Sequence, residues 1–113
     1  MKTSIRVITA AAICLAAQGA AAQTAFGIPD CGEWLKDGIT VRQQNQAWLL
    51  GYLSGLNFMY SAPKKDDPLD RLSSAKQAYA WMDNYCKANP LNHISAGSNE
   101  LFRELTNKVK AGK

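Results

Sequence analysis

The chain has few of the residues from which active sites and metal centres are built. Histidine occurs once, at His93, and cysteine occurs three times, at Cys14, Cys31 and Cys86. A single histidine cannot make a metal cluster, and no C-x-x-C spacing indicates a redox site. No nucleophile elbow or glycine-rich phosphate loop is present. These absences predict a protein that is not an enzyme, with no catalytic residues, no metal site and no cofactor, and they place His93 on a helix surface or at a cap.

Four further patterns are missing beyond the first 22 residues. There is no alternating pattern typical of a β-strand, and no internal repeat. The apolar run 47–56 is about half the ~20 residues that a membrane-spanning helix needs. Basic residues do not alternate with aromatics in the way typical of nucleic-acid binding. We therefore predict a helical protein that neither binds nucleic acid nor inserts into the membrane.

The N-terminus has the pattern of a secretory signal peptide. Lys2 and Arg6 supply a basic start, an apolar run follows, and small alanines precede the predicted cleavage after Ala22. Cleavage removes Cys14 and leaves about 90 residues, enough for one domain over residues 23–113. It also leaves 11 of the 13 Lys+Arg against 9 Asp+Glu, so the mature chain is only mildly basic. The predicted location is the periplasm.

Cys31 and Cys86 remain after cleavage. In an oxidising compartment, two cysteines far apart in sequence favour one structural disulfide. Closing this loop stabilises the fold by about 4 kcal/mol in the chain-entropy model.

Helix signals divide the mature chain into an all-α, single-domain bundle of about four helices, one short and three longer. Asp30 and Glu33 have the spacing of a capping box at the start of the short helix, which Gly38 ends. Two prolines and four charges predict an irregular linker between the second and third helices. The first predicted helix starts near Asp30, and the second runs from Thr40 to Tyr60. The third runs from Ser73 or Ser74 to Ala88, and the fourth from Pro90 to Lys110.

The central helix has two glycines on one face, Gly51 and Gly55, four residues apart. Each costs about 1 kcal/mol relative to alanine, which a closely packed neighbouring helix would offset. We therefore interpret this strip as a packing seam and expect Gly51→Leu to destabilise the fold by about 1–3 kcal/mol through overpacking. Apolar residues at spacings of three and four, Met59 among them, are predicted to face the core.

Seven tryptophans and tyrosines are many large rings for a small core. Aromatic residues are enriched where proteins bind partners. Core packing and a protein interface remain equally open from this composition alone. The candidate protein-binding or packing residues are Trp48, Gly51, Tyr52, Gly55 and Trp81, with Trp48 and Tyr52 as the predicted start of a binding surface.

Cys31 followed by Trp34, the apolar helix 48–56 and the stretch Tyr85-Cys86-Lys87-Ala88-Asn89-Pro90 resemble the HdeA/HdeB family of small periplasmic proteins. The resemblance covers most of the mature chain. It implies a helical fold with one disulfide between Cys31 and Cys86. It also implies acid-stress chaperone activity, in which a loosened form or oligomer offers its apolar helix faces to unfolding clients. A homodimer is a further possibility.

A second resemblance leads to an alternative. The run Gly51-Tyr52-Leu53-Ser54-Gly55, with residues 85–90 and a closing helix, is similar to small periplasmic immunity proteins that neutralise amidase toxins. That family commonly has additional cysteines, which this chain lacks. The alternative function is therefore a specific partner-binding module, such as an immunity protein or a secretion or conjugation accessory protein. Both resemblances imply a protein-binding role in the same compartment.

Overall fold

The structure, a computed structural model, describes residues 24–111, with side chains to Lys108. In this range the chain forms four α-helices, one short 3-10 helix and no strand. The predicted all-α bundle with one short and three longer helices is confirmed, whereas the predicted signal peptide and Cys14 lie outside the described residues. The helices are α1 (Cys31–Trp34), α2 (Ile39–Lys64), the 3-10 helix (Pro68–Arg71), α3 (Ala75–Ala88) and α4 (Ile94–Ala111).

The short helix α1 is held by the two features that the sequence predicted, a side-chain cap and a disulfide. The Asp30 carboxylate accepts a hydrogen bond from the backbone N–H of Glu33 at 2.7 Å, which satisfies a free donor of the first turn. Cys31 is bonded to Cys86 with an S–S distance of 2.07 Å, so the predicted disulfide is confirmed. Both cysteines are fully buried. The bond thus joins the start of α1 to the last turn of α3.

The core lies between α2, α3 and α4 and is closed at one end by α1. Side chains three and four residues apart on each helix point inward, as their amphipathic patterns predict. Tyr60 meets Phe102 edge-to-face with ring centroids 5.6 Å apart, which joins α2 to α4. The buried apolar residues are Cys31, Trp34, Leu49, Leu53, Ala78, Met82, Tyr85, Cys86, Ile94, Leu101, Phe102 and Leu105.

The predicted linker is more regular than its prolines and charges suggest. Helix α2 continues through Pro63 to Lys64, and Pro68 then begins the 3-10 helix. Pro63 lies in the last turn of α2 and has no N–H to donate to the Met59 carbonyl. The helix ends one residue later, where Lys65 adopts a left-handed conformation and donates its N–H to the Ser61 carbonyl at 2.8 Å. The prediction of an irregular segment from residue 61 onward was therefore wrong.

The side chain of Asn57 ties this connection back to α2. Its amide donates to the Asp67 carboxylate at 2.8 Å, and its carbonyl accepts from the Leu69 N–H at 3.2 Å. These two bonds span the turn between α2 and the 3-10 helix. The single buried residue of the 3-10 helix, Pro68, is held against the bundle at the same place.

The last helix begins later than predicted. Residues 90–93 form a turn, and α4 starts at Ile94 rather than at Pro90. Asn89 is not the N-cap of α4, because its N–H and its side-chain amide both donate to the Tyr85 carbonyl and close α3 instead. The end of this turn and the first residue of α4 pair with the chain around the start of α1. The Asn92 carbonyl accepts from the Cys31 N–H at 2.8 Å, and the Ile94 N–H donates to the Pro29 carbonyl at 3.0 Å.

The glycine strip of α2 is not the packing seam that the sequence predicted. Gly51 and Gly55 are exposed, and no neighbouring atom lies within 4 Å of the position that a Cβ would occupy on either. Close helix packing occurs instead at Gly97 in α4, where a Cβ would lie 2.7 Å from the Tyr85 ring and 2.8 Å from the Met82 sulfur. Position 97 contacts α3 so closely that only glycine fits there. Nothing in the described fold requires glycine at position 51.

This difference predicts opposite effects of the same substitution at two helical glycines. Gly97→Ala places a methyl group inside the α3–α4 contact and should destabilise the fold by about 1–3 kcal/mol. Gly51→Ala adds a methyl group to open solvent and should stabilise α2 by up to about 1 kcal/mol. Urea unfolding of the two variants beside the wild type measures both changes. A Gly97→Ala variant as stable as the wild type would contradict the packing described here.

Candidate functional site

Trp48 and Tyr52, the predicted start of a binding surface, form one half-buried stack on α2. Their ring centroids are 5.0 Å apart with an interplanar angle of 13°. The Trp48 indole donates to the Phe26 carbonyl at 3.3 Å, and the Tyr52 hydroxyl donates to the Asn99 side-chain oxygen at 3.1 Å. The two rings thus hold the segment before α1 and the helix α4 against α2. This contact accounts for their position without an external partner.

Trp81 belongs to a different contact. Its ring stacks on Tyr85 with centroids 5.4 Å apart, and its indole donates to the Glu104 carboxylate at 3.1 Å. It therefore joins α3 to α4 and does not extend the Trp48–Tyr52 stack. All three candidate aromatics are half-buried.

The surface that stands out lies on the side of α2 opposite its core residues Leu49 and Leu53. Phe58 is 75% exposed and Met59 is 74% exposed, so Met59 does not face the core as predicted. On a helix of 3.6 residues per turn, Phe58 follows Gly51 on nearly the same line. We define the outer face of α2 as the exposed residues Ala47, Gly51, Ser54, Gly55, Phe58, Met59 and Ala62.

The outer face carries no charge. No Asp, Glu, Lys or Arg occurs between Arg42 and Lys64, on any side of the helix. Solvent-exposed faces of amphipathic helices ordinarily carry charged and polar residues. An open apolar groove of about 490 Å³ runs along one flank of this face, with Phe58, Ser61 and Leu69 in its wall. The absence of charge was visible in the sequence, but sequence reasoning missed Phe58 because it took the apolar residues of α2 as core.

A second concave feature lies at the other end of α2, between α1, α2 and α3. It is a cavity of about 230 Å³, and Arg42 and Lys76 are among its lining residues. Trp34 forms part of its wall, and its indole donates to the Asp83 carboxylate at 2.8 Å. Asn45 is buried at 4% exposure beside it and donates to the Glu33 carbonyl at 3.2 Å.

The remaining chemically active residues have structural partners. Asp66 pairs with Arg71 at 2.5 Å, and Asp67 accepts from Asn57. His93 is exposed and lies directly before α4, where its carbonyl accepts from the Ala96 N–H at 3.1 Å, in agreement with the predicted surface or capping position. Across residues 24–111, no group of three or more His, Cys, Asp or Glu side chains is placed to hold a metal ion. None of the helices searched in that range is long and apolar enough to span a membrane.

Comparison with known proteins adds no relative to this picture. No protein-family model, curated protein or solved structure has significant similarity to the chain. The resemblance to HdeA/HdeB proteins and the resemblance to immunity proteins therefore stay predictions, and function must be argued from the surfaces described above.

Proposed function

We propose that this chain is a non-enzymatic protein-binding protein of the periplasm, and that its binding surface is the outer face of α2. The observation that carries the proposal is the pair Gly51 and Gly55. Each costs the helix about 1 kcal/mol relative to alanine, and no neighbouring atom of the described fold lies within 4 Å of either Cβ position. The folded chain gains no contact from these glycines, whereas a helix docking on this face gains close approach to bare backbone.

The exposed apolar side chains support the same surface. Single exposed apolar residues are normal on soluble proteins. Here, however, Phe58 and Met59 lie next to the glycines on a face without charge, and the apolar groove continues beyond Phe58. Contiguous apolar surface of this kind marks interaction sites.

The outer face is complementary to itself, which makes a second copy of the chain its occupant at neutral pH. Two antiparallel α2 helices centred between Ser54 and Gly55 place Phe58 of each copy at the level of Gly51 of the other. The same pairing places the small residues Ala47 and Ala62 at one level. A two-fold axis produces such reciprocal contacts, in which a large side chain of each copy covers a gap in the other.

The resemblance to the HdeA/HdeB family supports a chaperone role for this surface. Acid neutralises the 9 Asp+Glu and leaves the 11 Lys+Arg of the mature chain charged, so a large positive charge builds up on every copy. Self-repulsion of this kind separates subunits and loosens compact states. The outer faces of α2 are then exposed to unfolding client proteins. This is the acid-stress chaperone function that the resemblance to the HdeA/HdeB family implies.

Two substitutions on the outer face test the surface. Phe58→Asp should weaken the dimer at least tenfold, because about 1.4 kcal/mol of lost contact is a factor of ten and large buried anchors contribute more. Gly51→Leu should weaken it similarly by filling the gap, yet it should not lower the stability of the monomer, since Gly51 faces open space. Sedimentation equilibrium gives the dimer constants, and urea unfolding gives the stability.

Leu91→Asp is the matched control, because Leu91 is 93% exposed but lies in the turn before α4. It makes the same apolar-to-acidic change outside the outer face and should leave the dimer intact. A wild-type chain that stays monomeric at high concentration would contradict the second copy as occupant. So would outer-face variants that associate like the wild type.

The chaperone role has its own test in acid. Between neutral pH and about pH 2, the wild-type chain should bind an apolar dye and suppress aggregation of an acid-unfolded client. Phe58→Asp should suppress less, while Leu91→Asp should match the wild type. A chain that leaves client aggregation unchanged throughout this range is not an acid-stress chaperone.

A specific partner-binding module is the second candidate, and the preformed outer face favours it. The glycine gap and Phe58 are in place in the folded chain, so a partner helix can dock without prior loosening. An immunity protein or a secretion or conjugation accessory protein would bind in this way. Crosslinked pull-down from periplasm at neutral pH should then recover one defined partner with the wild type and with Leu91→Asp, but not with Gly51→Leu. Recovery of no protein would contradict this candidate.

A further inference from the structure

The cavity between α1, α2 and α3 is lined by two cationic side chains that form no ion pair. Arg42 and Lys76 line it from different helices. Among the described residues the only ion pair joins Arg71 to Asp66, so no carboxylate lies within 4 Å of either cation. Two positive side chains beside one concave site, neither of them paired with a carboxylate within 4 Å, favour an anionic ligand.

Both cations occupy positions that their own helices disfavour. Arg42 lies in the first turn of α2 and Lys76 in the first turn of α3. A helix N-terminus carries partial positive charge, so a cation there raises the free energy of the helix. Neither helix offsets this with an acidic residue in its first turn or with a side-chain cap. The N-terminal ends of α2 and α3 therefore meet at one cavity, each without an acidic residue and each with an unfavourably placed cation. A bound carboxylate would offset the positive charge of both helix ends and both cations.

The cavity also presents one negative charge, that of Asp83, which lies on α3 two turns after Lys76. One oxygen of Asp83 accepts from the Trp34 indole at 2.8 Å, and no hydrogen bond from residues 24–111 reaches its other oxygen. Trp34 is only 5% exposed and Asn45 only 4%, so the wall is built from side chains fixed by the core. The disulfide next to Trp34 holds α1 against α3. The site therefore combines two solvent-exposed cationic side chains and one acceptor with a buried wall.

We propose that this cavity binds a small zwitterion of the amino-acid type. Arg42 and Lys76 bind the carboxylate, and Asp83 accepts a hydrogen bond from the ammonium group. The volume of about 230 Å³ lies below the range of about 300–1,000 Å³ typical for drug-sized ligands. A free amino acid or a dipeptide fits this volume. The site lies on the core-facing side of the N-terminal end of α2, away from the outer face, and the proposal does not depend on the proposed function.

Four probes separate the chemical groups that the cavity recognises. Alanine and alanyl-alanine have both charged ends, alanyl-alanine amide lacks the carboxylate, and N-acetyl-alanyl-alanine lacks the ammonium group. The measurement is the NMR signal of the Trp34 indole N–H, assigned with a Trp34→Phe variant, because this proton bonds to Asp83. Alanine or alanyl-alanine should shift the signal saturably at millimolar concentration or below. The one that binds more tightly tells whether the natural ligand is a free amino acid or a dipeptide. The amide and the acetylated peptide should bind at least tenfold more weakly.

Two variants connect the response to the cations. Arg42→Gln and Lys76→Gln should each weaken binding about tenfold or more, since a charge-assisted hydrogen bond to the carboxylate is lost. Neither should unfold the chain, because each removes a charge that its helix start disfavours. Lys87→Gln removes the same charge from the other end of α3 and should leave binding unchanged. Urea unfolding confirms that all three variants stay folded.

Three results overturn the proposal. The first is no saturable shift of the Trp34 signal with either zwitterion at millimolar concentration. The second is equal binding of alanyl-alanine amide or of the acetylated peptide, which would remove the carboxylate or the ammonium group from recognition. The third is unchanged binding in both Arg42→Gln and Lys76→Gln.

Discussion

The disulfide between Cys31 and Cys86 is the constraint on which the rest of this structure depends. Helix α1 has only four residues, and so short a helix is not stable by itself in water. The covalent bond holds it against α3, and the Cys31 N–H donates to Asn92 in the turn before α4. One bond therefore positions the start of α1, the end of α3 and the approach to α4. The cavity beside Trp34 exists because these elements are held together.

Helix α2 combines two roles that are usually separated. Its inner side, with Leu49 and Leu53, forms the core, and its outer side carries bare glycine backbone beside an exposed Phe58. A helix selected only for the stability of this fold would have alanine or charged residues on its outer side. The departure from that rule lies at the surface to which we assign protein binding, which is where conflicts between stability and function are expected.

The sequence predicted much of the fold, because its signals are local. The Asp30 cap and the apolar stripes of α3 and α4 depend on residues a few positions apart, and the disulfide joins the two cysteines that lie beyond the predicted signal peptide. It failed at the start of α4, because Asn89-Pro90 is a good start signal but Asn89 instead closes α3. The residues that follow, Asn92 and Ile94, bond to Cys31 and Pro29 at the start of α4. The sequence also failed at Pro63, which lies inside the last turn of α2 although proline is disfavoured at that position.

The sequence by itself determined that the chain is helical, that one disulfide closes it and that α2 has an uncharged stretch with two glycines. Only the tertiary structure decided which side of α2 is buried, because every side of this stretch is apolar enough to face a core. It placed the close helix contact at Gly97 and left Gly51 and Gly55 open. It also brought Arg42 of α2 to one cavity with Lys76 and Asp83 of α3, since residues of separate helices meet only when the helices pack together.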